Sequence, residues 1–185
     1  WKADWKDPNC PLARKKREEV LAWMDAYMDY GMTLDMPVWV INSEKGRNAT
    51  GVHTYQDAVT ATQINNDYWI NNRTGSCKFL NILQGETHSQ SDKWYASMKD
   101  YCDPQVYPDA HFNGWALGGQ NTCDMHMAIR RIVTIIRDGL LETGVHDYLH
   151  FLGTSRLEWA LMFTDIQRAI RKYHNPNFTI TFDCA

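Results

Sequence analysis

The stretch KFLNILQG, Lys78 to Gly85, decides how the chain is read: six residues of mostly apolar character end abruptly at Gln84-Gly85. A short apolar run closed by a turn signal reads as a buried strand followed by a loop. On its N-terminal side, His53 to Asn72 has helical character, and on its C-terminal side Ser89 to Tyr101 places Trp94, Met98 and Tyr101 on one helical face. Strand and helix therefore alternate around it.

The alternation extends in both directions. Pro11 to Tyr30 spaces Leu12, Val20, Leu21, Trp23, Met24, Tyr27 and Met28 as a helix would, with Gly31 as its stop. MTLDMP, Met32 to Pro37, reads as a short buried strand ending at the proline, and the polar NSEKGRNATG, Asn42 to Gly51, reads as loop. Downstream, HFNGWALGG (His111 to Gly119) suggests a strand running into a glycine pair, and MAIRRIVTIIRDGLL (Met127 to Leu141) a helix. His146 to Leu152, Leu157 to Tyr173 and Phe178 to Phe182 complete the series as strand, helix and strand. Five strands separated by helices at about 35-residue intervals predict an α/β chain of parallel βαβ units. Both a doubly wound sheet and a (β/α)8 barrel fit, although a full barrel takes about 250 residues.

Composition narrows the function. The chain has 185 residues, 44% hydrophobic and 22% charged, which is ordinary for one globular domain spanning residues 1–185. A formal net charge of -3 provides no global cationic field for a polyanion, so nucleic-acid contact would have to be local. Candidates for such contact are Arg14 to Arg17 and Arg130, Arg131 and Arg137, although solvated helix faces are the commoner fate of such runs. No apolar run approaches the roughly 20 residues of a membrane span. The five cysteines are scattered and form no C-x-x-C pair, which disfavours both a disulfide scaffold and a thiolate zinc site. Reduced thiols suggest the cytoplasm, while N-x-T sequons at Asn48, Asn72 and Asn177 would suit a secreted chain. Cys123-Asp124-x-His126 looks like a metal cluster but lacks a tetrahedral set, and reads as a helix cap. His88, His111 and His146 read as loop or strand-edge residues, and helix faces rich in Trp and Met leave a dimer surface open.

No Gly-x-Gly-x-x-Gly and no Walker sequence follows a strand, so a nucleotide-cofactor fold is disfavoured. In parallel α/β folds the active site gathers at the carboxyl ends of the strands. Those ends supply Asp35, Gln84-Gly85, Gly118-Gly119, His150 to Thr154 and Asp183. Carboxylates accept from N–H groups while an amide and backbone N–H groups donate to a carbonyl, a combination that suits a small polar heterocycle such as guanine. Glycines let backbone approach a flat ligand closely.

The segments LDMP (Leu34 to Pro37), NILQG (Asn81 to Gly85), GWALGG (Gly114 to Gly119), LHFLGTS (Leu149 to Ser155) and FDCA (Phe182 to Ala185) resemble, in the same order, strand-end motifs of the tRNA-guanine transglycosylases. LDMP is closer to the archaeosine type than to the queuine type, and the segments are also similar to DNA-modifying relatives that insert 7-deazaguanines. The resemblance implies a (β/α)8 TIM-type barrel, of which this chain covers about five βα units, the later strands. It implies exchange of guanine in tRNA or DNA for a 7-deazaguanine. Asp183 would be the nucleophile at C1′, forming a covalent glycosyl-enzyme that splits one displacement into two. Asp35 would read the guanine N1–H and 2-amino edge. Gln84, in the Gln84-Gly85 turn, would hold O6 with the backbone amides of Gly118 and Gly119, donors worth about 3 kcal/mol each in an oxyanion-hole role. His150 falls where queuine-type enzymes carry a methionine against the base, and would stack there. Cys184, by strand alternation, would point away from Asp183 into the core.

The chain also departs from the pattern. The family's DSGGFQ-like segment, with a second aspartate as general acid/base, has no counterpart in the 34 residues before Asp35. Glu86 replaces a second glycine after Gln84. No cofactor is expected within this chain, and a structural zinc only where a full-length protein carries the family's site of three cysteines and a histidine beyond the nucleophile. The expectation is a barrel portion holding the base pocket and the nucleophile. The alternatives are a non-catalytic partner subunit that binds nucleic acid and an unrelated barrel enzyme for a small heterocycle.

Overall fold

A computed structural model describes residues 2–154 and 156–183. Five parallel strands pair strictly in chain order: β1 (Tyr30–Met32), β2 (Lys78–Leu83), β3 (Gly114–Leu117), β4 (Tyr148–Phe151) and β5 (Thr179–Phe182). Helix α1 (Pro11–Tyr27) leads into β1, and the crossovers that parallel neighbours need are supplied by five further α-helices: α2 (Glu44–Thr50) and α3 (Tyr55–Asn72) between β1 and β2, then α4 (His88–Met98), α5 (Met125–Arg137) and α6 (Leu157–Tyr173), one in each later connection. The sheet curls into a half-barrel, a shape compatible with part of an α/β barrel.

The two faces of the sheet differ. Phe79, Leu83, Trp115, Leu117, Leu149 and Phe151 point outward into the main core, where they meet Trp69 of α3, Trp94 of α4, Ile132 of α5 and Phe163 of α6. Each large side chain buried there contributes about 1.5–3 kcal/mol. Two of the indole N–H groups find carbonyls, Trp94 donating to Ile82 O at 3.0 Å and Trp115 to Leu140 O at 2.9 Å, while that of Trp69 has no hydrogen-bond partner. The inner face carries a small second cluster, Leu80, Ile82 and Ala116, flanked by Tyr30, Met32, Tyr148 and Leu152. On this face the central strand β3 presents only Gly114, Ala116 and Gly118. A Cβ on Gly114 would collide with Tyr148 O and lie 2.8 Å from Leu80 Cδ2.

Several sequence expectations need correction. The first strand is Tyr30–Met32 rather than Met32 to Pro37, and α1 ends at Tyr27. The ladder reaches Thr33, whose N–H donates to Leu80 O at 3.0 Å. Beyond it, helix α3 takes over the backbone groups: Asn65 Nδ2 donates to Leu34 O at 2.7 Å, and Met36 N–H donates to Thr62 Oγ1 at 2.9 Å. Gly31 is therefore a strand residue packed against Phe79 and Cys77, not a helix stop. Residues 42–51 are not all loop, because Ser43 caps α2 and Gly51 closes it at φ 69°. Helix α4 ends at Met98, and a 3-10 turn covers Lys99–Cys102.

The basic runs are largely engaged within the chain. Arg14, Lys15 and Lys16 pair with Glu18 and Glu19, and buried Arg17 donates to Asn65 Oδ1 and Trp5 O. Arg130 and Arg131 both meet Asp92, and Arg137 lies 3.9 Å from Asp138. No helix among the described residues is long and apolar enough to cross a membrane.

Candidate functional site

At the carboxyl ends of β1, β2 and β3, Asp35 and Gln84 meet. Gln84 Nε2 donates to Asp35 Oδ2 at 2.7 Å, joining residues 49 apart in sequence. Gln84 is almost fully buried, and its Oε1 has no hydrogen-bond partner. A buried amide oxygen without a donor is costly unless something else supplies one. The Gln84 side chain lies against the glycine pair: a Cβ on Gly118 would sit 2.7 Å from Nε2, and one on Gly119 2.8 Å from Oε1. Gly119 also has φ +60°, which favours glycine. Burial pushes the Asp35 carboxyl up to about 6, partly opposed by the Gln84 hydrogen bond.

The expected backbone donors fare unequally. Gly118 N–H already donates to Leu83 O at 2.9 Å, extending the sheet by one residue, and its carbonyl accepts from Asn121 Nδ2 at 3.0 Å. Gly118 is therefore a spacer for Gln84 and not a donor to a ligand, which leaves Gly119 as the backbone amide of the pair. Gly85, at φ +141°, serves an approach of α4, because a Cβ there would be 2.6 Å from Ser91 N. Glu86 accepts from Asn42 Nδ2 at 3.1 Å.

At the ends of β4 and β5 a second group forms. His150 Nδ1 lies 2.8 Å from Thr181 Oγ1, and Nε2 lies 3.8 Å from Asp183 Oδ2, ion-pair distance rather than a hydrogen bond. Asp183 Oδ1 accepts from Gly153 N–H. The imidazole is largely buried, Nε2 has no hydrogen-bond partner, and the Asp183 carboxylate is about half exposed. Burial makes His150 less basic than an ordinary histidine, with Asp183 pulling the other way.

The two groups share one face of the sheet. Strand register sets Ile82, Ala116, His150 and Thr181 in one inward row. Backbone hydrogen bonds from Gly118 to Leu83, Leu152 to Leu117 and Asp183 to Phe151 carry the ladder one step further. Gln84, Gly118, Leu152 and Asp183 then form the next row, at the rim. Two strand spacings, about 10 Å, separate Gly118 from Asp183. No hydrogen bond or ion pair among the described residues joins Asp35 and Gln84 to His150 and Asp183. Below the rim a hollow of about 230 Å³ is lined by Tyr30, Met32, Leu80, Tyr148, His150 and Thr181. The larger hollow of about 560 Å³ between α4 and α5 lies on the helical side, and its Arg130, Arg131 and Lys99 are paired with Asp92 and Asp138.

Other candidates settle into structural roles. Asp124 caps α5, accepting from His126 N–H and Met127 N–H. His146 lies in the bend before β4, as a loop residue, but fully buried, with Nε2 2.7 Å from Cys102 O. Among the described residues no group of three or more His, Cys, Asp or Glu is placed to hold a metal ion. Cys184 and Ser155 lie outside the described residues. Sequence reasoning passed over Thr181, which lies against His150 Nδ1, and included Gly153 only within the stretch His150 to Thr154, without its bond to Asp183. Period-two alternation through Thr179, Thr181 and Asp183 was the available signal for Thr181.

No protein-family model, curated protein or solved structure matches this chain.

Proposed function

We propose that the chain carries the base-reading and nucleophilic parts of a transglycosylase that exchanges guanine in a polynucleotide, tRNA or DNA, for a 7-deazaguanine. The observation that carries this reading is the placement of two unlike groups on one rim. At one end, a carboxyl, an amide and a glycine pair form an edge-reading pocket; at the other stands a half-exposed carboxylate. A purine nucleoside spans such a rim with its base at the ends of β1 to β3 and its sugar at β5.

The chemistry follows from the residues. Asp35, as carboxylate, accepts from the N1–H and 2-amino groups of guanine. Gln84 then needs a new partner for Nε2, and the purine O6 accepts from it, where negative charge grows as the base leaves. Asp183 Oδ2, free while Gly153 holds Oδ1, attacks C1′, and a second attack by the incoming base returns the original configuration.

The test is exchange of labelled guanine or labelled 7-deazaguanine into tRNA and into duplex DNA, with and without Asp183→Asn. Exchange into one polymer that vanishes in the variant, together with a covalent protein–nucleic acid adduct, supports the assignment. No exchange into either polymer, with nucleic-acid binding retained, would make the chain a non-catalytic partner subunit.

A further inference from the structure

We propose that His150 is the proton carrier of the site, giving a proton to the departing base and taking one from the incoming base through Nε2. This inference rests on the transglycosylase reading and adds a residue to its chemistry. Three geometric facts support it. Thr181 Oγ1 fixes the ring by holding Nδ1 at 2.8 Å; Nε2 is buried with no hydrogen-bond partner; and Nε2 faces the free oxygen of Asp183 at 3.8 Å. An unpaired ring nitrogen beside a carboxylate is a position at which a proton can be exchanged with a ligand.

Of the titratable groups around His150, Tyr148 lies on its own strand and Tyr30 across the hollow on β1, and Asp183 comes from the end of β5. Among the described residues Asp183 is the charged group whose field acts on the imidazole. The pair is therefore coupled in a useful direction. While Asp183 is an anion it favours the protonated imidazole. When Oδ2 bonds to C1′, that anion is lost and the buried imidazolium becomes a stronger acid as the base departs.

In the first half-reaction, Asp183 Oδ2 forms a bond to C1′, the C1′–N9 bond breaks with its electron pair on guanine, and the Nε2 proton passes to that base. In the second, neutral Nε2 removes the N9 proton of the incoming 7-deazaguanine, N9 bonds to C1′, and the C1′–Oδ2 bond breaks to restore the carboxylate. The imidazolium is regenerated, so proton and charge both balance.

Two measurements test this. In an NMR titration of the substrate-free protein, His150 should titrate below the ordinary histidine midpoint, and lower still in Asp183→Asn. Identical midpoints in both proteins would overturn the coupling whether or not exchange occurs. In the exchange assay, His150→Ala should slow turnover by about 10²-fold or more. It should also remove the limb on which the rate falls with rising pH, and added imidazole should restore part of the rate. Wild-type exchange with an unchanged pH profile in His150→Ala would overturn the inference and leave the transglycosylase reading standing. Absence of exchange in the wild type, with the NMR coupling intact, would instead refute that reading and remove the proposed role of His150 with it.

Discussion

Replacing Asp35 with asparagine should stabilise the protein above neutral pH and do little below pH 4. Burial holds the Asp35 carboxyl up to about 6, whereas an unfolded chain releases that proton at about 3.9. Between these values the folded state binds more protons than the unfolded state, so stability falls as pH rises. A difference of about two pK units at about 1.4 kcal/mol each amounts to roughly 3 kcal/mol once both states are ionised. The substituted amide is neutral throughout and can still accept from Gln84 Nε2 through its oxygen. Urea unfolding of wild type and Asp35→Asn from pH 4 to pH 8 isolates the effect, because every other carboxylate cancels in the difference. The variant should gain about 1–3 kcal/mol across that interval, most of it by pH 7. A difference that stays flat with pH would refute the claim that Asp35 is held against its own ionisation. The same substitution should abolish guanine exchange, since stability and base reading pull on this carboxyl in opposite directions.

Gly118→Ala puts a methyl against Gln84 Nε2, displacing the amide from Asp35. It should cost about 1–3 kcal/mol in urea melts and raise the Asp35 midpoint further, as followed by carboxyl NMR. Arg131, 2% exposed, donates to Ser91 and Asp92 and lies 4.6 Å from the Tyr95 ring centroid. Arg131→Ala should cost about 3 kcal/mol, while Arg131→Met, which keeps the volume, should cost less than about 1.5 kcal/mol; equal losses would contradict the packing account. Thr54 and Asp57 form a reciprocal cap on α3, so Thr54→Ala should lower stability by about 1 kcal/mol in thermal melts and Thr54→Ser by much less.

The strands were legible where an apolar run met a turn signal. KFLNIL coincides with β2, and Leu157 to Tyr173 coincides with α6. Strand β1 was misplaced because three residues are too few for a period, and because Tyr30-Gly31 follows an apolar helical pattern that masks it. Helix α2 has no buried residue, so hydrophobic periodicity is silent there, although Ser43 and Gly51 carry its start and stop. In the site, placing Asp35, Gln84, Gly118, His150 and Asp183 near strand ends required only the strand assignments. The bonds among them did not follow from the sequence. That Gly118 extends the ladder and Gln84 turns toward Asp35 depends on where β1 stops pairing, which is set by Asn65 and Thr62 on a helix about thirty residues away.

The bare inner side of β3 has a mechanical consequence. Asp35 and Asp183 hang from the two outermost strands, and four strand spacings of arc, about 19 Å, lie between those strands. That arc is fixed by hydrogen bonding, but the straight line across it shortens as the sheet rolls tighter. Gly114, Ala116 and Gly118 stand at the middle of the arc and offer nothing larger than a methyl to resist rolling. The reach from base to sugar is thus gauged at the middle of β3, and adding bulk at Ala116, one row below the rim, would open the gauge while leaving the bond between Gln84 and Asp35 in place.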